Sequence, residues 1–214
     1  MRLVKGAGSE KTGACWMSAL HWYTRHGTSW TDQPQCVSPV IRRLCIRLND
    51  ACSDGEREAL IGPHLFAPVG TNTGHADDIK RAYLCADRAV RVFAPIALDR
   101  AGQLAAAATL RALQPITDQE TARSAHKAAY DAAAYAAAAA AADAADSYAA
   151  YADSYAAAAA YAAYADDADA AADAAARAAK SALLQLILDC CAIGTQAEVC
   201  EAKTRDAVLA YLEK

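Results

Sequence analysis

The interval between Pro115 and Gly194 contains neither proline nor glycine, and alanine dominates it. Alanine has the highest intrinsic helix propensity, and the two residues that most often interrupt helices are missing. This composition predicts helix. One unbroken helix over the interval would be on the order of 115 Å long at 1.5 Å per residue. Since a lone helix of that length cannot bury its own surface, we expect it to fold back into a bundle or to pack on a partner.

Three acidic and serine pairs are the expected breaks within the interval, because their side chains compete for backbone amides: Asp146-Ser147, Asp153-Ser154 and Asp166-Asp167. Five tyrosines share helical faces at three- and four-residue spacing: Tyr148, Tyr151, Tyr155, Tyr161 and Tyr164. Tyrosine is enriched at protein interfaces. These faces are therefore the candidate interaction surface, either inside one bundle or between the chain and a protein partner or second copy.

The first 115 residues differ from the rest, since they hold all six prolines and all three tryptophans. They predict short helices joined by loops. A Ser38-Pro39 pair is a helix start of the N-cap and N1 kind. Apolar residues at helical spacing and helix-ending glycines or prolines predict further helices over residues 14–26, from 54 to Gly62-Pro63, from 75 to 93, and from Pro95 to about 113.

Capping boxes of the form Thr-x-x-Glu mark two further helix starts, at Thr117–Glu120 and Thr195–Glu198. The sequence thus predicts an all-α protein in three parts. These are a compact cluster of short helices over 1–115, the alanine/tyrosine-rich helical region over 116–194, and a C-terminal helix over 195–214.

Charge and hydropathy favour some classes of protein over others. A formal net charge of −4 argues against nucleic-acid binding, which normally uses a basic surface. Aspartates such as Asp143, Asp153 and Asp166 interrupt every long apolar stretch, so we expect no membrane span. The start of the chain lacks the apolar stretch of a secretory signal, and the eight cysteines show no compartment signal. We expect a cytoplasmic protein with reduced thiols.

Few residues suggest chemistry. The Lys11-Thr12 pair ends a poor match to a phosphate-binding loop, and we expect a flexible N-terminus instead. Cys15, His21, His26 and Cys36 carry metal-ligand atoms without the compact spacing of a zinc site. Three arginines, Arg42, Arg43 and Arg47, are expected on a solvated helix face. The sequence assigns no catalytic, cofactor-binding or metal residue and implies no cofactor.

Several proline- and glycine-containing segments carry a resemblance to a known family: 32–41 (DQPQCVSPVI), 48–51 (LNDA), Gly62-Pro63, 68–71 (PVGT) and 113–118 (LQPITD). With them the chain resembles an uncharacterised family of alanine-rich proteins from bacteriophages and bacteria, notably actinobacteria. The resemblance covers most of the chain, and Cys36–Pro39 is its most specific part. It implies a cytoplasmic protein encoded by a phage or mobile element, and no functional residue can be transferred from it.

The function expected from these patterns is that of a non-enzymatic helical interaction or scaffolding protein. One alternative is a phage-type inhibitor or counter-defence protein that binds a host protein through the same helical surface. A second alternative is a thiol- or metal-dependent enzyme that uses the region of Cys15 and His21.

Overall fold

The computed structural model describes residues 2–6, 8–9, 11–100, 103–136 and 170–194. Of this part, 66% is helical, and one two-stranded hairpin is its only sheet. The mostly helical prediction is confirmed. The chain forms two compact units, the first made of Met1–Asp78 and Ile187–Lys214 and the second of Ile79–Leu186. The predicted division into the ranges 1–115, 116–194 and 195–214 stays a prediction.

The N-terminal segment forms the hairpin, with strand β1 (Gly8–Ser9) antiparallel to β2 (Gly13–Ala14). The Ala14 carbonyl accepts a 2.9 Å bond from the Val4 N–H, and the Ala14 N–H donates to the Arg2 carbonyl at 3.0 Å. Leu3 is buried. The expectation of a flexible N-terminus is therefore wrong, because backbone pairing and one buried leucine hold this segment.

Helices α1 (Trp16–Thr24) and α2 (Pro39–Ala51) form the core of the first unit and match the predicted helices. Ser38 caps α2 as expected, since its hydroxyl accepts from the Val40 N–H at 3.2 Å. The buried Asn49 side chain joins three elements. Its oxygen accepts from the Trp16 N–H at 3.1 Å, and its amide donates to the Val4 carbonyl at 3.0 Å.

A short helix α3 (Asp54–Glu56) begins where predicted and continues through a π turn (Arg57–Ile61). A 3-10 turn (Gly62–His64) then ends the segment, with Pro63 at its start. Residues 71–74 are free of helix.

Helix α4 (His75–Arg88) leads through a second π turn (Ala89–Phe93) into α5 (Ala94–Arg100). The Ala94 N–H donates to the Ala89 carbonyl five residues back, and Pro95, which has no N–H, follows at the second residue of α5. Proline is tolerated in the first turn of a helix, so the chain continues as helix without the expected break. The single predicted helix from Pro95 to about 113 is instead α5 and a separate α6 (Leu104–Arg111).

Helices α7 (Gln119–Ala136) and α8 (Ala170–Cys191) flank the central part of the alanine-rich region. The cap of α7 lies one residue later than predicted. Asp118, rather than Thr117, accepts the Thr121 N–H at 2.9 Å, and the Thr121 hydroxyl accepts the Asp118 N–H at 3.1 Å. These reciprocal bonds are those of a capping box. The bonds that the Asp118 carboxylate accepts from the Thr121 N–H and from the Thr121 hydroxyl lower the pKa of Asp118.

The core of the second unit is built largely from alanine and medium-sized apolar side chains of α4 to α7: Ala86, Val90, Leu98, Ala107, Leu110, Ile116, Ala122 and Ala125. Ala107 of α6 and Ala125 of α7 are both buried in this cluster, and the two helices contact each other. On α4, Ile79 is 43% exposed, whereas Arg81 is fully buried.

Some predictions lie outside the described residues. These are the breaks at 146–147, 153–154 and 166–167, the five tyrosines of the candidate interaction surface, and the C-terminal helix over 195–214. Folding of the alanine-rich region into a bundle therefore stays a prediction. Within the described part, no helix combines the length and hydropathy needed to cross a membrane.

Candidate functional site

Two helices with buried side chains flank residues 137–169. In α7, Ala122 and Ala125 belong to the core of the second unit. In α8, Leu186 and Ile187 are fully buried, as is Cys190 nearer the helix end. Described helices with buried side chains thus lie on both sides of this interval in the sequence.

A cavity of about 400 Å³ lies beside the C-terminal end of α1. It is lined by seven polar side chains: His21, Arg25, Thr28, Ser29, Thr31, Gln33 and Gln35. They supply one imidazole, one guanidinium, three hydroxyls and two carboxamides. No carboxylate stands among the described residues that line the cavity.

The chain reverses at the end of α1 to form one wall of this cavity. His26 and Gly27 have φ values of 52° and 76°, in the left-handed region that favours glycine. A Cβ on Gly27 would lie 3.0 Å from Trp22 Cζ2, so the indole packs closely on this turn. The Thr28 hydroxyl donates to the Arg25 carbonyl at 2.6 Å, which fixes the first residues after the turn.

The far side of the loop is held by bonds to other segments. The Asn72 side chain donates to the Gln35 carbonyl at 2.8 Å, and the Asn72 N–H donates to the Cys36 carbonyl at 3.2 Å. The Gln33 N–H donates to the Thr31 hydroxyl at 3.1 Å. Because both ends and the middle of the loop are bonded, the cavity is formed without a ligand.

His21 is the one buried member of the cavity lining, with 7% of its surface exposed. Its Nε2 lies 3.1 Å from the hydroxyl oxygen of Ser29. Burial, and secondarily the positive charge of Arg25, lower the pKa of the His21 imidazole from its ordinary value. The ring is consequently neutral at pH 7, and its nitrogens act as one hydrogen-bond donor and one acceptor.

The Ser29–His21 distance is that of a nucleophile and its general base. Such a pair also needs a group that orients the imidazole, commonly a carboxylate. The described residues that line the cavity include no carboxylate.

Two tryptophans pack next to this loop, and their rings meet edge to face at 5.5 Å and 61°. The Nε1 atoms of Trp22 and Trp30 are both buried without a hydrogen-bond partner among the described residues. Aromatic pairs of this geometry contribute about 0.5–1.5 kcal/mol beyond their burial. The pair stiffens the loop between His21 and Thr31.

The structure does not bring Cys15 and His21 together as a catalytic pair. Cys15 is the N-cap of α1, where its sulfur accepts from the Ser18 N–H at 3.4 Å and lies 3.3 Å from the Ser18 hydroxyl. His21 is six residues further along a helix with 3.6 residues per turn, so it faces another direction. Its hydroxyl partner is Ser29 instead.

The remaining ligand-type side chains also stay apart. Among the described residues, no group of three or more His, Cys, Asp or Glu side chains is arranged to hold a metal ion. Burial raises the pKa of the Cys45 thiol well above its ordinary value, and the nearby Cys191, Cys190 and Cys15 raise it further. Cys45 is therefore a protonated core thiol.

The expected solvated face of α2 is present only in part. Arg43 and Arg47 are exposed, whereas Arg42 is half-buried. The buried Nε of Arg42 has no hydrogen-bond partner among the described residues.

The sequence pointed to His21 but missed the rest of the cavity. Its other lining residues lie at positions 25–35 without a known motif, and the turn at Gly27 together with the polar run up to Gln35 is the only signal. No protein-family model, curated protein or solved structure matches the chain. The resemblance to alanine-rich phage and bacterial proteins stays a prediction.

Proposed function

We propose that this chain is a non-enzymatic interaction or scaffolding protein that presents the alanine/tyrosine-rich residues 137–169 to a protein partner or to a second copy of itself. The observation that carries the proposal is the burial of both flanking helices. Ala125 on one side and Leu186 and Ile187 on the other are core residues. A segment fixed at both flanks loses less entropy on binding than a free segment of the same composition.

The five tyrosines are the proposed contact residues: Tyr148, Tyr151, Tyr155, Tyr161 and Tyr164. Tyrosine adds large contact area at a low cost in conformational entropy, and the surrounding alanines allow helices to approach closely. We place the protein in the cytoplasm, which agrees with the thiol form of the seven described cysteines.

Site-specific photo-cross-linking tests the proposal. A photoreactive phenylalanine analogue is placed at Tyr151 or Tyr161, and at the exposed Arg43 of α2 as a matched control. We expect covalent adducts, either to a second copy or to one host protein, from positions 151 and 161 but not from 43. Sedimentation velocity of the variant with all five tyrosines changed to alanine should then show loss of the same complex.

Two results would overturn the proposal. One is equal cross-linking from position 43 and from the tyrosine positions. The other is a complex that survives the fivefold tyrosine substitution unchanged.

A further inference from the structure

We propose that the cavity beside the end of α1 binds a small hydroxylated organic anion, a polar molecule with one carboxylate or phosphate group and several hydroxyls. This binding site is separate from residues 137–169 and does not depend on the scaffolding role.

Size and polarity define the class of ligand. The volume of about 400 Å³ lies within the range of about 300–1,000 Å³ typical of small-molecule sites. Such sites are usually lined by apolar side chains, whereas all seven lining residues here are polar. An apolar ligand would cover these side chains without offering them hydrogen bonds. Hydroxyls on the ligand would instead pair with them.

Charge selects an anion within this class. Arg25 is the one fixed cation among the lining residues, His21 is neutral at pH 7, and no described lining residue is acidic. Carbonyls at a helix end would repel an anion, and those of His21, Trp22 and Tyr23 in the last turn of α1 accept hydrogen bonds. The Arg25 N–H donates to the His21 carbonyl at 3.0 Å, and the Thr24 hydroxyl donates to the same carbonyl at 3.1 Å. Arg25 is thus available to pair with a carboxylate or phosphate.

Preorganisation favours binding as well. The loop that carries Thr28, Ser29 and Thr31 is held by the Thr28–Arg25 bond, by the Ser29–His21 bond and by the packing of Gly27 on Trp22. A ligand therefore does not have to order the loop, and the free energy of its hydrogen bonds is kept for affinity.

The experiment is a titration of the full-length chain with ribose 5-phosphate and with gluconate, followed by calorimetry and by the NMR signal of the His21 imidazole. Ribose is the uncharged counterpart of the first probe. We expect both anions to bind and to raise the pKa of His21, because a negative charge nearby stabilises the imidazolium. Ribose should bind at least about tenfold more weakly, since a hydrogen bond to a charged group contributes about 1.5–3 kcal/mol.

Matched variants locate the site. Arg25→Gln should weaken ribose 5-phosphate binding by about tenfold or more, and Ser29→Ala should weaken it less. Arg43→Gln removes an equally exposed arginine from α2 and should leave the affinity unchanged. Absence of any change at His21 with both anions, equal affinity for ribose, or equal losses in the Arg25 and Arg43 variants would each overturn the proposal.

Discussion

His21 shows how one residue can couple folding to pH. Burial and Arg25 lower its pKa below the ordinary value of 6.5. The unfolded chain therefore binds a proton at His21 at a higher pH than the folded chain does. The free energy of unfolding must then fall as the pH drops from about 6.5 toward the folded pKa. Above about pH 6.5 the imidazole is neutral in both states, and His21 no longer changes the stability.

We predict that His21→Gln flattens this part of the stability profile. Urea unfolding of both proteins between about pH 8 and about pH 5 measures the slope. His75→Gln, which replaces an exposed histidine at the start of α4, should keep the original slope. A wild-type profile that does not fall below about pH 6.5 would contradict the assignment of a lowered pKa to His21.

Position 13 requires glycine for two reasons: its backbone conformation and the lack of room for a side chain. Gly13 has φ of 102°, and a Cβ there would lie 2.6 Å from the Arg2 carbonyl oxygen and 2.7 Å from Val4 Cγ1. Gly74 has nearly the same φ, 106°, with nothing within 4 Å of its Cβ position. The two positions therefore separate backbone strain from steric overlap.

We predict that Gly74→Ala lowers the free energy of unfolding by about 1–3 kcal/mol through strain alone. Gly13→Ala should cost about 1–3 kcal/mol more, because the added methyl overlaps backbone that cannot move freely. Gly55→Ala in α3, where the Cβ position is open and φ is ordinary, should be neutral or stabilising by up to about 1 kcal/mol. Equal losses at positions 13 and 74 in urea unfolding would show that the hairpin yields to the overlap.

At the scale of the helices, alanine matters because its small side chain allows neighbouring helices to approach closely. Ala107 of α6 and Ala122 and Ala125 of α7 are buried in one cluster, while Ala105 and Ala108 of α6 face solvent. Small side chains at the contact permit short distances between helix axes. A larger side chain at a buried position must separate α6 from α7.

A leucine scan of these positions tests the contact. We predict that Ala107→Leu and Ala125→Leu each lower the free energy of unfolding by about 1–3 kcal/mol, the usual cost of overpacking. The matched changes Ala105→Leu and Ala108→Leu should stay within about 0.5 kcal/mol of wild type. Uniform tolerance at buried and exposed positions, measured by urea unfolding, would mean that α6 and α7 do not pack through alanine.

Helix boundaries with a local chemical signal could be predicted, and those set by distant residues could not. Ser38 and Pro39 define the start of α2 by contacts within two residues. At α7, by contrast, the sequence offers both Thr117 and Asp118 as caps. The Ile116 N–H donates to the Asp87 carboxylate at 3.0 Å. This bond holds the segment just before the cap, and its acceptor lies 29 residues earlier in the sequence. The register of the cap thus depends on α4, which a local pattern does not contain.

The same distinction explains the hairpin and the cavity. The hairpin needs the Asn49–Val4 bond across 45 residues, and the cavity loop needs the Asn72–Gln35 bond across 37. Sequence periodicity carries no information on such pairs. It predicted helix α1 beside the cavity but not the loop, and His21 is the one lining residue that the sequence analysis singled out.

At the scale of the whole molecule, the oxidation state of the cysteines bears both on what stabilises the fold and on the compartment in which the protein works. The seven described cysteines are in the thiol form, and six of them are buried: Cys15, Cys45, Cys52, Cys85, Cys190 and Cys191. The raised pKa of Cys45 keeps that thiol protonated and poorly reactive. The stability of the described fold therefore comes from packing and hydrogen bonds and needs no disulfide.

We predict that a reductant leaves the melting temperature of the full-length chain unchanged. A native disulfide contributes about 2–5 kcal/mol, and for a chain of this length each kcal/mol shifts the melting temperature by about 2–4 °C. Loss of one disulfide would thus lower it by roughly 4 °C or more. In parallel, a thiol reagent should modify only a minority of the eight cysteines in the folded protein and all of them after unfolding in denaturant. A clear fall in melting temperature on reduction would reveal a disulfide. Fewer than eight reactive thiols in the denatured chain without reductant would do the same, and either result would indicate an oxidising compartment.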